Sequence, residues 1–285
     1  MPPLALQDTT AIRAPAEPVA GTARMVFSRS GERTVLERVF ASSPVKLFST
    51  RSVGTACWVY SATLGGGLVG GDAVRMTIDV GAGARALLAT QASTKVYRSP
   101  RPASQHMTAA INNDALLAVL PDPIVCFAGA HFSQAQYYEL DARANLVLVD
   151  WMTSGRHAVG ERWAFRHYGS RIDVRRSGRR LFHDHVRLDE TDGNIAERFA
   201  GFDVCLTAVV TGPLVSSAAK AIVQAAAALP IHKHSDMVLS AWALPDGGAV
   251  VRIAGPGAEQ VGAALRERLE FLRDALGDDP WTRKW

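Results

Sequence analysis

Two pairs of histidines stand at a spacing suited to a metal ion. His183 and His185, like His232 and His234, are separated by a single residue. On a strand, positions i and i+2 share a face, so each pair can turn two imidazoles toward one transition-metal ion. Two ligands hold an ion weakly, and nothing near in sequence completes either set. Ordinary surface or core histidines are the plainer reading of both pairs. His183 and His185 are the metal-ligating candidates, and their weak hold would suit a carrier better than a catalyst.

A second chemical signal is the run Gly65-Gly66-Gly67-Leu68-Val69-Gly70-Gly71-Asp72. Residues 65–70 satisfy G-x-G-x-x-G, the dinucleotide fingerprint, which works by opening a helix whose N-terminus holds a pyrophosphate. Here an alternating segment, Val74 to Val80, follows instead, and no Gly-Lys-Ser/Thr closes a phosphate-binding loop. Gly65, Gly66, Gly67, Gly70 and Gly71 therefore predict a tight turn between two strands, where backbones approach closely. Asp72 is placed to accept hydrogen bonds from amides of that turn. A polar lining role for the run is the alternative.

Other catalytic patterns are missing. The sequence has no G-x-S-x-G elbow, no H-E-x-x-H zinc helix and no kinase motif set. Cys57, Cys126 and Cys205 are odd in number and form no C-x-x-C pair, which fits buried apolar thiols in a reducing compartment. Eight arginines lie between Arg162 and Arg187, opposed only by Asp173 and Asp184. Such a patch suits an acidic protein surface better than nucleic acid, because no RNA-binding or helix-turn-helix motif accompanies it. Solvated outward strand positions explain it equally well.

The elements that must position these residues are mostly strands. Met25 to Phe27 and Thr34 to Phe40 flank a hairpin turn at Ser30-Gly31, and Val74, Met76, Ile78 and Val80 alternate with polar residues. Leu146 to Val149 is a continuous apolar run, as expected of a strand covered on both faces. Val204 to Val210 alternates again. Two helices are predicted, over about 216–229 and 258–276, the second with Val261, Leu265, Leu269, Leu272 and Leu276 on one face. The class is mainly β with a small two-helix part, and no 20–50-residue sequence repeat is visible. With 48% hydrophobic residues, 20% charged residues and a net charge of +4, the chain must be globular. No apolar run spans a membrane. Residues 1–24, without a basic start or an apolar core, read as a flexible tail rather than a signal peptide, leaving 25–285 as a single β domain.

An ordered set of short motifs resembles the urease accessory protein UreD family, called UreH in some organisms. The set begins with Leu64 to Asp72, then Thr90-Gln91 and Lys95-Val96-Tyr97-Arg98. Pro121-Asp122-Pro123 with Phe127 comes next, then Gln134, Trp151, Ser154-Gly155-Arg156, and Gly160-Glu161 with Trp163 and Phe165. The resemblance implies a distorted, β-helix-like stack of strands and no catalytic activity. It implies a scaffold in a dimeric hetero-complex, binding a UreF-type protein and a UreG-type GTPase and docking them onto urease apoprotein in the cytoplasm. Nickel would pass transiently through a polar interior, with no permanently bound cofactor, no nucleic acid and no membrane. Asp72, Asp150, Glu161 and Asp184 are then the carboxylate candidates for the route, and Lys95 and Arg98 the balancing charges. Tyr97 and Arg156 join them as partner-binding candidates. Carboxylates paired with arginines to fix the fold are the structural alternative, and a β-rich hydrolase or polysaccharide-acting enzyme is the alternative function.

Overall fold

Alternating and continuous apolar segments separate into two sheets for a physical reason. A strand with one wet face alternates, whereas a strand covered on both faces does not. The computed structural model describes residues 19–50, 54–199, 201–230 and 232–282, so the tail reading up to residue 18 lies outside the described residues. The strands are β1 (Thr22–Ser30), β2 (Arg33–Ala41), β3 (Val45–Thr50), β4 (Cys57–Thr63), β5 (Ala73–Val80), β6 (Arg85–Thr90), β7 (Thr94–Val96), β8 (Ala103–Ile111) and β9 (Leu116–Leu120). They continue with β10 (Ile124–Cys126), β11 (His131–Leu140), β12 (Asn145–Thr153), β13 (His167–Arg176), β14 (Arg179–Asp189), β15 (Val204–Thr211), β16 (Val238–Ala243) and β17 (Ala249–Gly255). Because β1 starts at Thr22, residues 22–24 belong to a sheet and not to a tail.

The first sheet runs β14-β13-β11-β8-β5-β1-β2 and the second β16-β17-β15-β12-β9-β6-β4-β3. In the first, β1, β5, β8, β11 and β13 are parallel; in the second, so are β4, β6, β9 and β12. The chain visits the sheets alternately through a narrow third face. There Leu68 bridges Val96, β7 pairs with β10, and β10 pairs with the end of β12. The path is a coil: second sheet, third face, first sheet, tight turn, and again. That is the stacked architecture the resemblance implied.

The tight turns repeat in detail. Ala84 N–H donates to Gly81 O at 3.0 Å, Ala115 N–H to Asn112 O at 3.1 Å, and Ala144 N–H to Asp141 O at 3.1 Å. All three alanines are fully buried and stack on one another, Leu116 N–H donating to Ala84 O and Asn145 N–H to Ala115 O, each at 2.9 Å.

Two apolar layers result. One, with Met25, Ile78, Phe132, Leu117 and Leu148, lies between the sheets. The other lies between the far face of the second sheet (Trp58, Leu116, Val147) and the helices. This is why Leu116–Leu120 and Leu146–Val149 read as unbroken apolar runs. The helices are α1 (Ile195–Arg198), α2 (Ser216–Ala227), α3 (Ala258–Arg268) and α4 (Leu272–Leu276). The single helix expected over 258–276 is thus two. The chain tightens at its break, where Leu272 N–H donates to Leu269 O and Arg273 N–H to Glu270 O, yet Val261, Leu265, Leu269, Leu272 and Leu276 are all buried as their spacing required. The short α1 carried no periodic signal.

Candidate functional site

Between the sheets, the inward positions of β11 should all be apolar, but Gln134 and Gln136 occupy two of them and are buried. In register with Gln134 stand Gln105 on β8 and Ser170 on β13, so a polar row crosses the inside of the first sheet. Asp150 faces it from the end of the apolar run on β12. Gln134 Nε2 donates to Asp150 Oδ1 at 2.7 Å, and Ser170 Oγ donates to Asp150 Oδ2 at 2.5 Å. Gln134 Nε2 also lies 3.0 Å from Ser170 Oγ and 3.5 Å from the Tyr168 hydroxyl.

Two cavities meet at this carboxylate. One of about 180 Å³ is lined by Thr90, Gln91, Asp122, Gln105, Gln134 and Asp150 among others. A second, of about 300 Å³, is lined by Asp150, Tyr168, Ser170, Cys205, Thr207 and Arg252 among others. Each has room for more than one water. Asp150 is enclosed by protein yet keeps accessible surface, because it borders both spaces. Burial pushes its carboxyl up; the Ser170 and Gln134 hydrogen bonds pull it down, Asp184 pushes it up further, and the net direction is upward. At the rim of the first cavity, Thr90 Oγ1 donates to Asp122 Oδ2 at 3.0 Å and accepts from Asp122 N–H at 2.7 Å. Near the second, Arg252 Nη2 donates to Asp184 Oδ1 at 2.7 Å. Burial pushes the thiols of Cys126 and Cys205 up to about 12, so neither is a thiolate at neutral pH.

The glycine run turns between β4 and β5, two strands as its composition predicted, and lies on the third face. A Cβ at Gly67 would sit 2.6 Å from Lys95 O, and one at Gly70 would sit 1.8 Å from Ser99 Oγ, so only hydrogen fits at either. Gly65, Gly66 and Gly71 hold left-handed φ of 80°, 76° and 94°. Asp72 Oδ2 accepts from Val69 N–H at 2.8 Å, closing the turn.

Beside it, the Tyr97 and Phe127 rings meet edge to face at 5.0 Å, and the Arg156 guanidinium lies 4.3 Å above Phe127. Arg156 grips Glu161 through Nε at 2.9 Å and through Nη2, and Ala128 N–H donates to Glu161 Oε2 at 3.1 Å. The Arg156 hydrogen bond holds the Glu161 carboxyl below its usual range. The glycine run, Lys95, Tyr97, Phe127, Arg156 and Glu161, scattered between 65 and 161, therefore meet on one face.

The structure divides the sequence candidates. Of Asp72, Asp150, Glu161 and Asp184, only Asp150 lines the cavities; Asp72 caps a turn, Glu161 is clamped by Arg156, and Asp184 is held by Arg252. Lys95 and Arg98 are exposed on the third face and balance no cavity carboxylate. His183 and His185 do share an outward face of β14, but His183 Nδ1 lies 3.6 Å from Asp173, a carboxylate bonded to Arg175 and Arg180. Among the described residues no group of three or more His, Cys, Asp and Glu is placed to hold a metal. Gln105, Ser170, Tyr168 and Arg252 escaped sequence reasoning. The available signal was polar residues at inward positions of period-two strands.

Known proteins carry the same pattern. The sequence model of the UreD urease accessory protein family matches residues 19–285. A urease accessory protein UreD of Sorangium cellulosum is 48% identical over 266 residues, covering 93% of this chain and 85% of that protein. A second, from Anaeromyxobacter, is 42% identical over 93% of this chain and 89% of its own length. A urease accessory protein D of Oryza sativa subsp. japonica is 32% identical over 97% and 99%.

Proposed function

The chain belongs to the UreD urease accessory protein family, with a role in urease maturation, and on that premise we propose that it is a non-enzymatic scaffold whose interior conducts nickel toward urease apoprotein. The observation that carries the reading is Asp150, a carboxylate enclosed by protein and shared by two cavities.

A divalent cation crosses a protein only where oxygen donors or water replace its hydration shell, because a bare charge in an apolar interior is prohibitively costly. Asp150 supplies a negative charge where the two cavities meet, and hydroxyl and amide groups of Ser170, Tyr168 and Gln134 surround it. Nickel accepts carboxylate and water ligands. Nickel would displace any proton the raised carboxyl carries. A single carboxylate with neutral neighbours binds weakly enough for the ion to leave, which is what a conduit requires and a storage site does not. The basic, aromatic third face of Lys95, Tyr97, Arg98, Phe127 and Arg156 has the composition of binding hot spots. In this reading the chain joins a UreF-type protein and a UreG-type GTPase in a dimeric hetero-complex that docks on urease apoprotein. The compartment is the cytoplasm, where the free thiols of Cys57, Cys126 and Cys205 stay reduced. No helix of the described residues is long and apolar enough to cross a membrane.

The test is co-expression of the chain with those partners and urease, followed by metal analysis of purified urease. Asp150→Asn is expected to leave the assembly intact and to lower nickel per urease about tenfold, the effect of roughly 1.4 kcal/mol on passage. Full nickel content with an intact assembly would overturn the conduit. Failure of the wild-type chain to co-purify with any partner would overturn the scaffold.

A further inference from the structure

The outer face of the first sheet is covered by none of α2, α3 and α4, which lie against β6, β15, β16 and β17 of the second sheet. Its charge is unevenly arranged. In hydrogen-bonded register, Arg75 on β5 stands beside His106 on β8, His106 beside Ala135 on β11, Ala135 beside Arg171 on β13, and Arg171 beside His185 on β14. Arg75, His106, Arg171 and His185 are exposed. On one side the adjoining row is Ala73, Ser104, Ser133, Gly169 and Arg187, again in register; on the other it is Thr77, Thr108, Tyr137, Asp173 and His183.

Neither the Arg75 row nor the Ala73 row contains an acid. The nearest carboxylates on this face are already engaged: Asp173 with Arg175 and Arg180, and Asp189 with His167 and Arg187. Arg75 and Arg171, by contrast, form no ion pair among the described residues. Three strand spacings separate them, about 14 Å in all. The neighbouring Ala73 row carries mostly small side chains.

We propose that the row of Arg75 and Arg171 docks an extended, acidic segment of a partner protein, an inference that rests on the scaffold reading and gives it a surface and a chemistry. Guanidinium groups match carboxylates in bidentate geometry, and two unpaired ones along one line select a chain with spaced acids. The Arg75 and Ala73 rows carry no Phe, Tyr or Trp on which successive bases would stack, which favours a peptide over single-stranded nucleic acid.

The experiment uses the full chain and fluorescein-labelled deca-glutamate as the probe, read by anisotropy at low salt. Arg75→Glu with Arg171→Glu is expected to weaken binding by about tenfold or more, and the neutral pair Arg75→Gln with Arg171→Gln by less. A control pair with the same charge change, Arg33→Glu with Arg266→Glu, is expected to lose much less. Equal binding by the wild type and the charge-reversed pair overturns the proposal, as does an equal loss in the control pair. Tighter binding of deca-thymidylate than of the peptide also overturns it. Unchanged thermal midpoints establish that the variants fold. The assay contains no nickel and no urease partner, so its failure is separate from failure of the nickel measurement.

Discussion

Two carboxyls in this molecule are shifted in opposite directions, and the contrast shows how position governs charge. Asp150 is raised chiefly by burial, against the hydrogen bonds of Ser170 and Gln134. Asp189 is lowered, first by the Thr191 hydroxyl, then by His167 and the Thr191 amide. A raised acid keeps its proton longer in the folded state than in the unfolded chain. Its contribution to stability is therefore complete below about pH 4 and is lost as pH rises through the folded value. A lowered acid behaves oppositely, stabilising above about pH 4 and losing that effect as pH falls. Denaturant titrations across pH 3 to 7 should thus give a flatter profile above about pH 4 for Asp150→Asn than for wild type. Asp189→Asn should flatten the acidic limb instead. Parallel profiles for Asp150→Asn and wild type would mean the carboxyl is not shifted upward. Asp150 itself could be singled out in the sequence, because a charged residue closes the apolar run Leu146 to Val149. Its partners could not, because Gln134 and Ser170 lie 16 and 20 residues away and reach it only through strand register.

The turn is the element that sets the coil. Gly81–Ala84, Asn112–Ala115 and Asp141–Ala144 share one hydrogen-bond pattern and one buried alanine, but almost no other residue identity. The sequence therefore carries no visible repeat, although the alternation and apolar runs on either side are plain. What stacks is backbone geometry and a buried methyl, and many sequences satisfy both. The last of these turns is held from an unexpected quarter. Arg176, a buried residue, donates through Nη1 to the carbonyls of Asp141, Ala142 and Ala144 at 3.2, 2.9 and 2.9 Å, and through Nη2 to Thr211 Oγ1 at 3.2 Å. Burial pushes this guanidinium down from its ordinary value. Arg176→Met would fill a similar volume but remove the side-chain donors to those carbonyls, of which Asp141 O alone keeps a backbone donor from Ala144 N–H. It should destabilise the fold by about 2–4 kcal/mol, seen as a lower denaturant midpoint. A midpoint within about 0.5 kcal/mol of wild type would show that water replaces the guanidinium freely. The arginine cluster was visible in the sequence as a surface patch; that one of its members is an internal staple was not, because an inward strand position cannot be told from an outward one where a bulge shifts the register between Val174 and Arg175.

In the whole molecule, the second sheet is protected on both faces and the first on one. Amide exchange should therefore be slowest in β9 and β12, which are apolar on both sides, and fastest in β2 and β16, whose residues are mostly exposed. Uniform protection across both sheets would contradict that layering. The ends of the stack have a different consequence. Parallel coils present the same unsatisfied backbone at either end, and such an architecture accepts a further copy as readily as its own next turn. Here the first sheet finishes on β2 and β14, and the second on β3 and β16, each running antiparallel to its neighbour. The hairpins thus act as terminators: they give a design with no natural length a definite one, and make a discrete particle of what would otherwise polymerise into a filament.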